Sequence, residues 1–144
     1  MAEIEFFDPD HFPAKDPVIV ILGARFDKKW LFVKNRDRNG YELPAGHIDD
    51  NEFPYDAARR ELNEETGAEI FNLECVATYS VTEKGISEWG KLYFAEIIEM
   101  GPRLDGDEIE DVLMSDKIPG RLNYHEIQSV LFNYLQMYLK EKRT

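Results

Sequence analysis

Between Pro54 and Gly67 the sequence permits a helix of one definite length, and this limits the folds open to the chain. Proline suits a first helical turn, where its missing N–H would have had no partner. Glycine is the usual residue just past a helix end. The stretch between them, PYDAARRELNEET, has no further breaker, so the spacing predicts a helix over residues 54–66. The segments before it are of another kind. Residues 17–26 (PVIVILGARF) are β-branched and aliphatic and predict a buried strand. Residues 30–35 (WLFVKN) predict its return partner across the polar turn Asp27-Lys28-Lys29.

Residues 36–40 (RDRNG) predict a polar loop ending in Asn-Gly, and residues 41–44 a short strand running into Ala45-Gly46. Further strands are expected at 70–81, 91–98 and 109–114, with a loop holding Gly101, Pro102 and Gly106. In residues 124–142 apolar side chains recur at spacings of three and four, from Ile127 through Leu131 and Leu135 to Leu139, which predicts an amphipathic helix. The order β-β-β-α-β-β-β-α implies an α/β fold, a mixed sheet with helices on both faces. The segment Ile4-Glu5-Phe6-Phe7 suits an edge strand or a dimer contact. With 144 residues and no repeat or linker-like run, one domain over residues 1–144 is expected.

At about 100° per residue, Glu61, Glu64 and Glu65 fall in one sector of the predicted helix. Tyr55, Ala58 and Leu62 fall in the adjacent, core-facing sector. Three acids so placed repel one another unless a hard divalent cation, which prefers carboxylate oxygens, stands among them. A Glu-rich helix is ordinarily just a solvated face. The chain as a whole is acidic, with 17 Lys and Arg against 29 Asp and Glu and a net charge of −12. That balance argues against stable nucleic-acid binding through a basic surface. It suits an anionic small-molecule substrate only if cations stand between the two.

The acids belong to a longer pattern: Gly46, five residues, Glu52, seven residues, Arg60-Glu61-Leu62, one residue, Glu64-Glu65, one residue, Gly67-Ala68. This resembles the Nudix box, and the chain is similar to small, single-domain, MutT-like Nudix hydrolases. The resemblance implies a Nudix-type α/β/α sandwich. It also implies a pyrophosphohydrolase that splits a nucleoside diphosphate linked to another group, with Mg²⁺ or Mn²⁺. It places Glu61, Glu64, Glu65 and the main-chain carbonyl of Ala45 at the metal. Glu61 or Glu64 is then the general base, Arg60 orients a neighbouring glutamate, and Glu52 supports the loop and helix. A glutamate from a later loop serves some members, which makes Glu108 and Glu110 candidates by position. Ala45, Asn51, Phe53 and Ala68 depart from the commonest wording of the box. With Phe53 where Ser or Thr would cap the helix, Asp50 or Asn51 is expected to cap it instead.

Arg36 and Arg38, on a loop ahead of the box, are candidate phosphate contacts. His47 and His125 read as a loop residue and a surface residue. Trp30, Tyr79, Trp89 and Phe94 could stack on a base, but alternating core positions explain them as well. Cys75 reads as a small buried residue and not a nucleophile; as the only cysteine it rules out an intrachain disulfide, which fits a cytoplasmic protein. No apolar run approaches the roughly 20 residues of a membrane span. The resemblance ranks a nucleoside triphosphate, intact or oxidised, as first substrate. Leu43-Pro44-Ala45-Gly46 leans toward an ADP-ribose-like nucleotide sugar as second. A catalytically silent nucleotide sensor is the alternative of another class. A monomer or homodimer is expected.

Overall fold

The computed structural model describes residues 2–103 and 108–142, so the expected loop glycine Gly106 lies outside the described residues. Five strands precede the first helix: β1 (Glu3–Phe7), β2 (Ile19–Phe26), β3 (Lys29–Asn35), β4 (Tyr41–Glu42) and β5 (Ala45–His47). Helix α1 (Pro54–Thr66), strands β6 (Ala68–Glu83), β7 (Ile86–Met100) and β8 (Ile109–Ser115), and helix α2 (His125–Lys142) complete the order. One of the five, β5, was not expected as a separate strand. The 4–7 segment is an edge strand, antiparallel to β6. The 41–46 run divides at Leu43-Pro44, and there the chain changes partner, β4 pairing with β3 and β5 with β2.

The sheet is mixed, in the order β1-β6-β7-β2-β3-β4, with β5 on β2 and β8 on β3. Strands β2 and β7 run parallel. Strand β2 is buried on both faces, which explains its near-continuous apolar sequence. Val20, Leu22 and Ala24 pack toward Ala57, Ala58 and Leu62 of α1. Ile21 packs with Leu131, Phe132 and Leu135 of α2 on the other side. The layers are thus helix, sheet, helix, as the sequence implies. Tyr55, expected in the core stripe of α1, is 44% exposed, its ring edge-on to Tyr93. Among the described residues no helix is long and apolar enough to cross a membrane.

Two-residue turns with left-handed backbone close both main hairpins, Asp27-Lys28 (φ 51° and 66°) and Lys84-Gly85 (φ 51° and 78°). The second carries β6 and β7 through residues 82–90, beyond the expected strands 70–81 and 91–98, and the Thr82 and Ser87 hydroxyls meet there at 2.6 Å. Helix α1 ends as expected, on Gly67 at φ 84° with its N–H on the Asn63 carbonyl. Its start differs from expectation. Neither Asp50 nor Asn51 caps it, and Phe53 makes no side-chain cap bond. Pro54 at the first position lessens the need, since it brings no N–H to satisfy.

Candidate active site

Strand β2 pairs with β3 only at Arg25–Trp30 and Phe26–Lys29. Beyond that the two diverge, and Ile19, Val20 and Ile21 take His47, Gly46 and Ala45 of β5 as partners. A cleft of about 700 Å³ opens beside this fork, a size suited to a nucleotide-sized ligand. Its walls include Ala45, Gly46, Glu61 and Glu65 at one side and Ile19, Ile21, Tyr79, Val81 and Ile127 at another.

Helix α1 delivers Glu61 and Glu65 to the fork because Ala57, Ala58 and Leu62 anchor its other face in the core. The Glu65 carboxylate accepts the Ala45 N–H at 2.9 Å. Glu61 lies against Gly46, whose missing side chain makes the room: a Cβ there would stand 2.0 Å from the Glu61 carboxyl carbon. Burial pushes the Glu65 carboxyl up to about 8, helped by the negative charge of Glu61. Burial also raises Glu61, against the pull of Arg60. Glu64 parts from the other two. It is not on the cleft wall, its side chain is 47% exposed, and its nearest cation is Arg60 at 3.5 Å. The single acidic edge expected from helical spacing is therefore split. Among the described residues, no three His, Cys, Asp or Glu side chains converge as a ready-made metal cage.

Arg60 is the hub of the loop leading into α1. It makes a two-pronged pair with Glu52 (both bonds 2.9 Å) and meets Glu61 at 2.6 Å. It also donates to the His47 carbonyl at 3.2 Å. The Arg60 hydrogen bonds hold Glu52 down at about 2, and Glu52 in turn raises the guanidinium. Glu52 Oε1 also accepts the Asp49 N–H, tying the loop to the helix start. Asn51, where the box usually has glycine, sits at φ 63°, a left-handed position that Asn tolerates better than most residues.

Of the two loop arginines, Arg38 is on the cleft wall, held by Glu42 at 2.9 and 3.2 Å and lying over the Tyr124 ring. Arg36 is exposed and off the wall, its main-chain N–H on the Glu108 carbonyl. Glu108 lines the cleft, whereas Glu110 is off it and paired with Lys34 at 2.6 Å. Trp30 and Phe94 are core residues in edge contact, while Tyr79 and Trp89 line the cleft. His47 lines the cleft and is exposed, and His125 is an exposed residue in the first turn of α2. Burial raises the Cys75 thiol, so no reactive thiolate arises there.

Sequence reasoning missed Glu42 and Gln128. Glu42 lies beside the box in sequence but gains its place from Arg38 and Asn123, which donates to it at 3.0 Å. Gln128 is hidden among the helical repeats of α2, although it is only 5% exposed and lines the cleft.

The NUDIX domain family model matches residues 13–131. A Bacillus subtilis protein described as "Putative 8-oxo-dGTP diphosphatase YtkD" is 33% identical over 117 residues, 81% of this chain and 73% of that protein. The crystal structure of the Bacillus subtilis pyrophosphohydrolase BsRppH, solved as a mutant, superposes with a TM-score of 0.80 at 30% identity, covering 96% of this chain and 90% of that one. A local match to an RNA pyrophosphohydrolase of Bartonella henselae is 56% identical over 39 residues, 27% of this chain and 22% of that protein. The forked sheet, the box helix and these relatives agree, and the chain belongs to the Nudix hydrolase family.

Proposed function

We propose that this chain is a Mg²⁺- or Mn²⁺-dependent pyrophosphohydrolase acting on a nucleoside triphosphate, intact or oxidised. The observation that carries the reading is the pair Glu61 and Glu65. Both are drawn into a cleft and raised by burial, and Glu65 has a main-chain N–H as its partner instead of a cation. Two hard oxygen donors, one sharing Arg60 with Glu52 and one with no cation beside it, fit a divalent ion of the kind Nudix hydrolases generally require. The residues that would hold it are Glu61, Glu65 and the Ala45 carbonyl, with Glu64 at the exposed rim. When bound, the ion neutralises the diphosphate and acidifies the attacking water.

The chain's own groups divide the remaining work. Glu61, on the wall and oriented by Arg60, is the better placed proton acceptor, while Glu64 faces solvent. Arg60 and Glu52 hold the loop that presents Ala45 and Gly46. Arg38 is the loop arginine placed to meet phosphate, and Arg36 is not carried forward. The B. subtilis relative described as acting on 8-oxo-dGTP supports the triphosphate class.

The test is product identification across nucleoside triphosphates, oxidised triphosphates, nucleotide sugars and a 5′-triphosphorylated oligoribonucleotide, with Mg²⁺ and with Mn²⁺. Metal-dependent release of phosphate or pyrophosphate from triphosphates, abolished by Glu61→Gln and by Glu65→Gln in folded protein, is expected. Nucleotide binding with no release under any metal would instead identify a silent sensor.

A further inference from the structure

Asn123 lies in the turn ahead of α2, off the cleft wall. Its side chain makes three hydrogen bonds to residues 40–42: Oδ1 accepts the Gly40 N–H at 3.1 Å, and Nδ2 donates to the Gly40 carbonyl at 2.8 Å and to Glu42 Oε2 at 3.0 Å. Both amide hydrogens are used, and turning the amide over would set its oxygen against two other acceptors. Gly40 makes the close approach possible. A Cβ there would stand 2.7 Å from Asn123 Oδ1 and 2.9 Å from the Arg121 carbonyl oxygen.

The turn does not need that side chain to close. Tyr41 donates its N–H to the Arg121 carbonyl at 2.7 Å and accepts the Asn123 N–H at 2.8 Å, so main-chain bonds already hold residues 121–123 against β4. The bond to Glu42 does something else. Glu42, its side chain 12% exposed, receives Asn123 on Oε2 and Arg38 on both oxygens, at 2.9 and 3.2 Å. Tyr124, next in the chain and left-handed at φ 52°, sets its ring centre 5.8 Å from the Arg38 guanidinium carbon. One turn thus reaches Arg38 twice, by Asn123 through Glu42 and by the Tyr124 ring. Arg38, Glu42 and Tyr124 all line the cleft. Glu42 occupies Arg38 at Nε and Nη2, and a guanidinium has five N–H donors, so the held arginine keeps donors for a ligand.

We infer that Asn123 is a positioning residue for the substrate phosphates: by holding Glu42 it holds Arg38 where they arrive. The inference rests on the nucleotide reading above, in which Arg38 meets phosphate. Its physical basis is entropy. An arginine side chain loses much rotamer freedom when a ligand immobilises it. One fixed beforehand, by a carboxylate that is itself fixed, has less to lose on binding. Without the Asn123 amide, the Glu42 carboxylate keeps Arg38 as its hydrogen-bond partner among the described residues, and the two side chains move as a pair.

The experiment is a double-variant cycle over wild type, Asn123→Ala, Arg38→Ala and the two together. It reads kcat and KM for the better hydrolysed of GTP and ATP, and the calorimetric Kd of the matching non-hydrolysable analogue with Mg²⁺. Asn123→Ala is expected to raise KM and Kd by about 3- to 10-fold, a coupling of the size found within one hydrogen-bonded network. Its kcat should stay within about 2-fold, because the contact serves ground state and transition state alike. On the Arg38→Ala background the same change should alter KM by less than about 2-fold, since no arginine is left to hold. Unchanged KM and Kd in folded Asn123→Ala overturn the inference, as does a loss of kcat at constant KM. An equal rise with and without Arg38 overturns it too, and would make Asn123 a support of the turn alone. Asn123→Ser, one atom short of Glu42, carries the same cycle should the alanine variant not fold. Each of these failures leaves the proposed function standing, whereas absence of metal-dependent hydrolysis of any nucleotide by the wild type refutes both.

Discussion

Gly46→Ala should disable the site and spare the fold. The Cβ it adds would stand 2.0 Å from the Glu61 carboxyl carbon and 2.3 and 2.4 Å from its oxygens. Carbon settles against such atoms at roughly 3.3–3.6 Å, so the carboxylate must retreat by about 1 to 1.5 Å. Displacement of a positioned group by about 1 Å costs on the order of 100-fold in rate, or roughly 2.7 kcal/mol of barrier.

The fold has little reason to respond. Gly46 is not among the left-handed glycines, so alanine meets no backbone strain there. Restricting the unfolded chain gains about 0.4–1 kcal/mol, and forcing a flexible glutamate off its preferred rotamer costs about 0.5–1.5 kcal/mol. The two roughly cancel. The assay pairs kcat/KM at saturating Mg²⁺ with urea unfolding of the metal-free protein. A drop near 100-fold with stability within about 1 kcal/mol of wild type is expected. Wild-type kcat/KM would refute the placement of Glu61, and a destabilisation above about 3 kcal/mol would show that Gly46 serves the fold instead.

Leu62→Ala, at a fully buried α1 position, should cost about 2–5 kcal/mol in urea unfolding, with the metal requirement of the residual activity unchanged. Asn51→Gly should be neutral or slightly stabilising and Asn51→Val destabilising by about 1–2 kcal/mol in thermal melts, because only a left-handed position separates glycine from a β-branched residue in that order. Glu65 predicts a pH effect. Its carboxyl rises from near 4.5 to about 8 on folding, so between those values the folded protein holds a proton that the unfolded chain has lost. Stability of the metal-free protein should therefore be fullest below about 4.5 and fall as pH rises toward 8. In melts with EDTA that slope should appear, and in Glu65→Gln it should be largely gone; an equal slope in both proteins would contradict the burial argument.

How much of this the sequence carried depended on how local the cause was. The bounds of α1 follow from Pro54 and Gly67, two residues acting on their own backbone, and the structure keeps both. The apolar run of β2 is equally local. The expected strands stop short of residues 82–90 because Thr82, Glu83, Ser87 and Glu88 are polar. They are strand because Lys84-Gly85 closes a tight turn and each residue meets a partner across it. The split of Glu64 from Glu61 and Glu65 was out of reach for a different reason. Helical spacing fixes directions about one axis, but the cleft is set by where β5 leaves β4. Gln128 shows the same limit more sharply, since its one fixed bond is to Leu43, 85 residues away.

The charge on the cleft wall adds a constraint that ties metal to substrate. Among the described residues the wall carries one arginine, Arg38, against seven Asp and Glu side chains, and Glu42 already engages that arginine. A triphosphate entering such a wall alone meets repulsion with almost nothing to offset it. The ion that relieves Glu61 and Glu65 relieves the phosphates as well, so each ligand should strengthen the binding of the other. Linkage makes that factor the same in both directions. For a coupling of this kind, typically 5- to 150-fold, calorimetry on the wild-type chain should find that Mg²⁺ tightens a non-hydrolysable triphosphate and that the triphosphate tightens Mg²⁺ by an equal factor, after correction for Mg²⁺ bound by the free nucleotide. Independent binding of the two would mean that the acids do not share an ion with the substrate, and that their burial in the cleft has another cause.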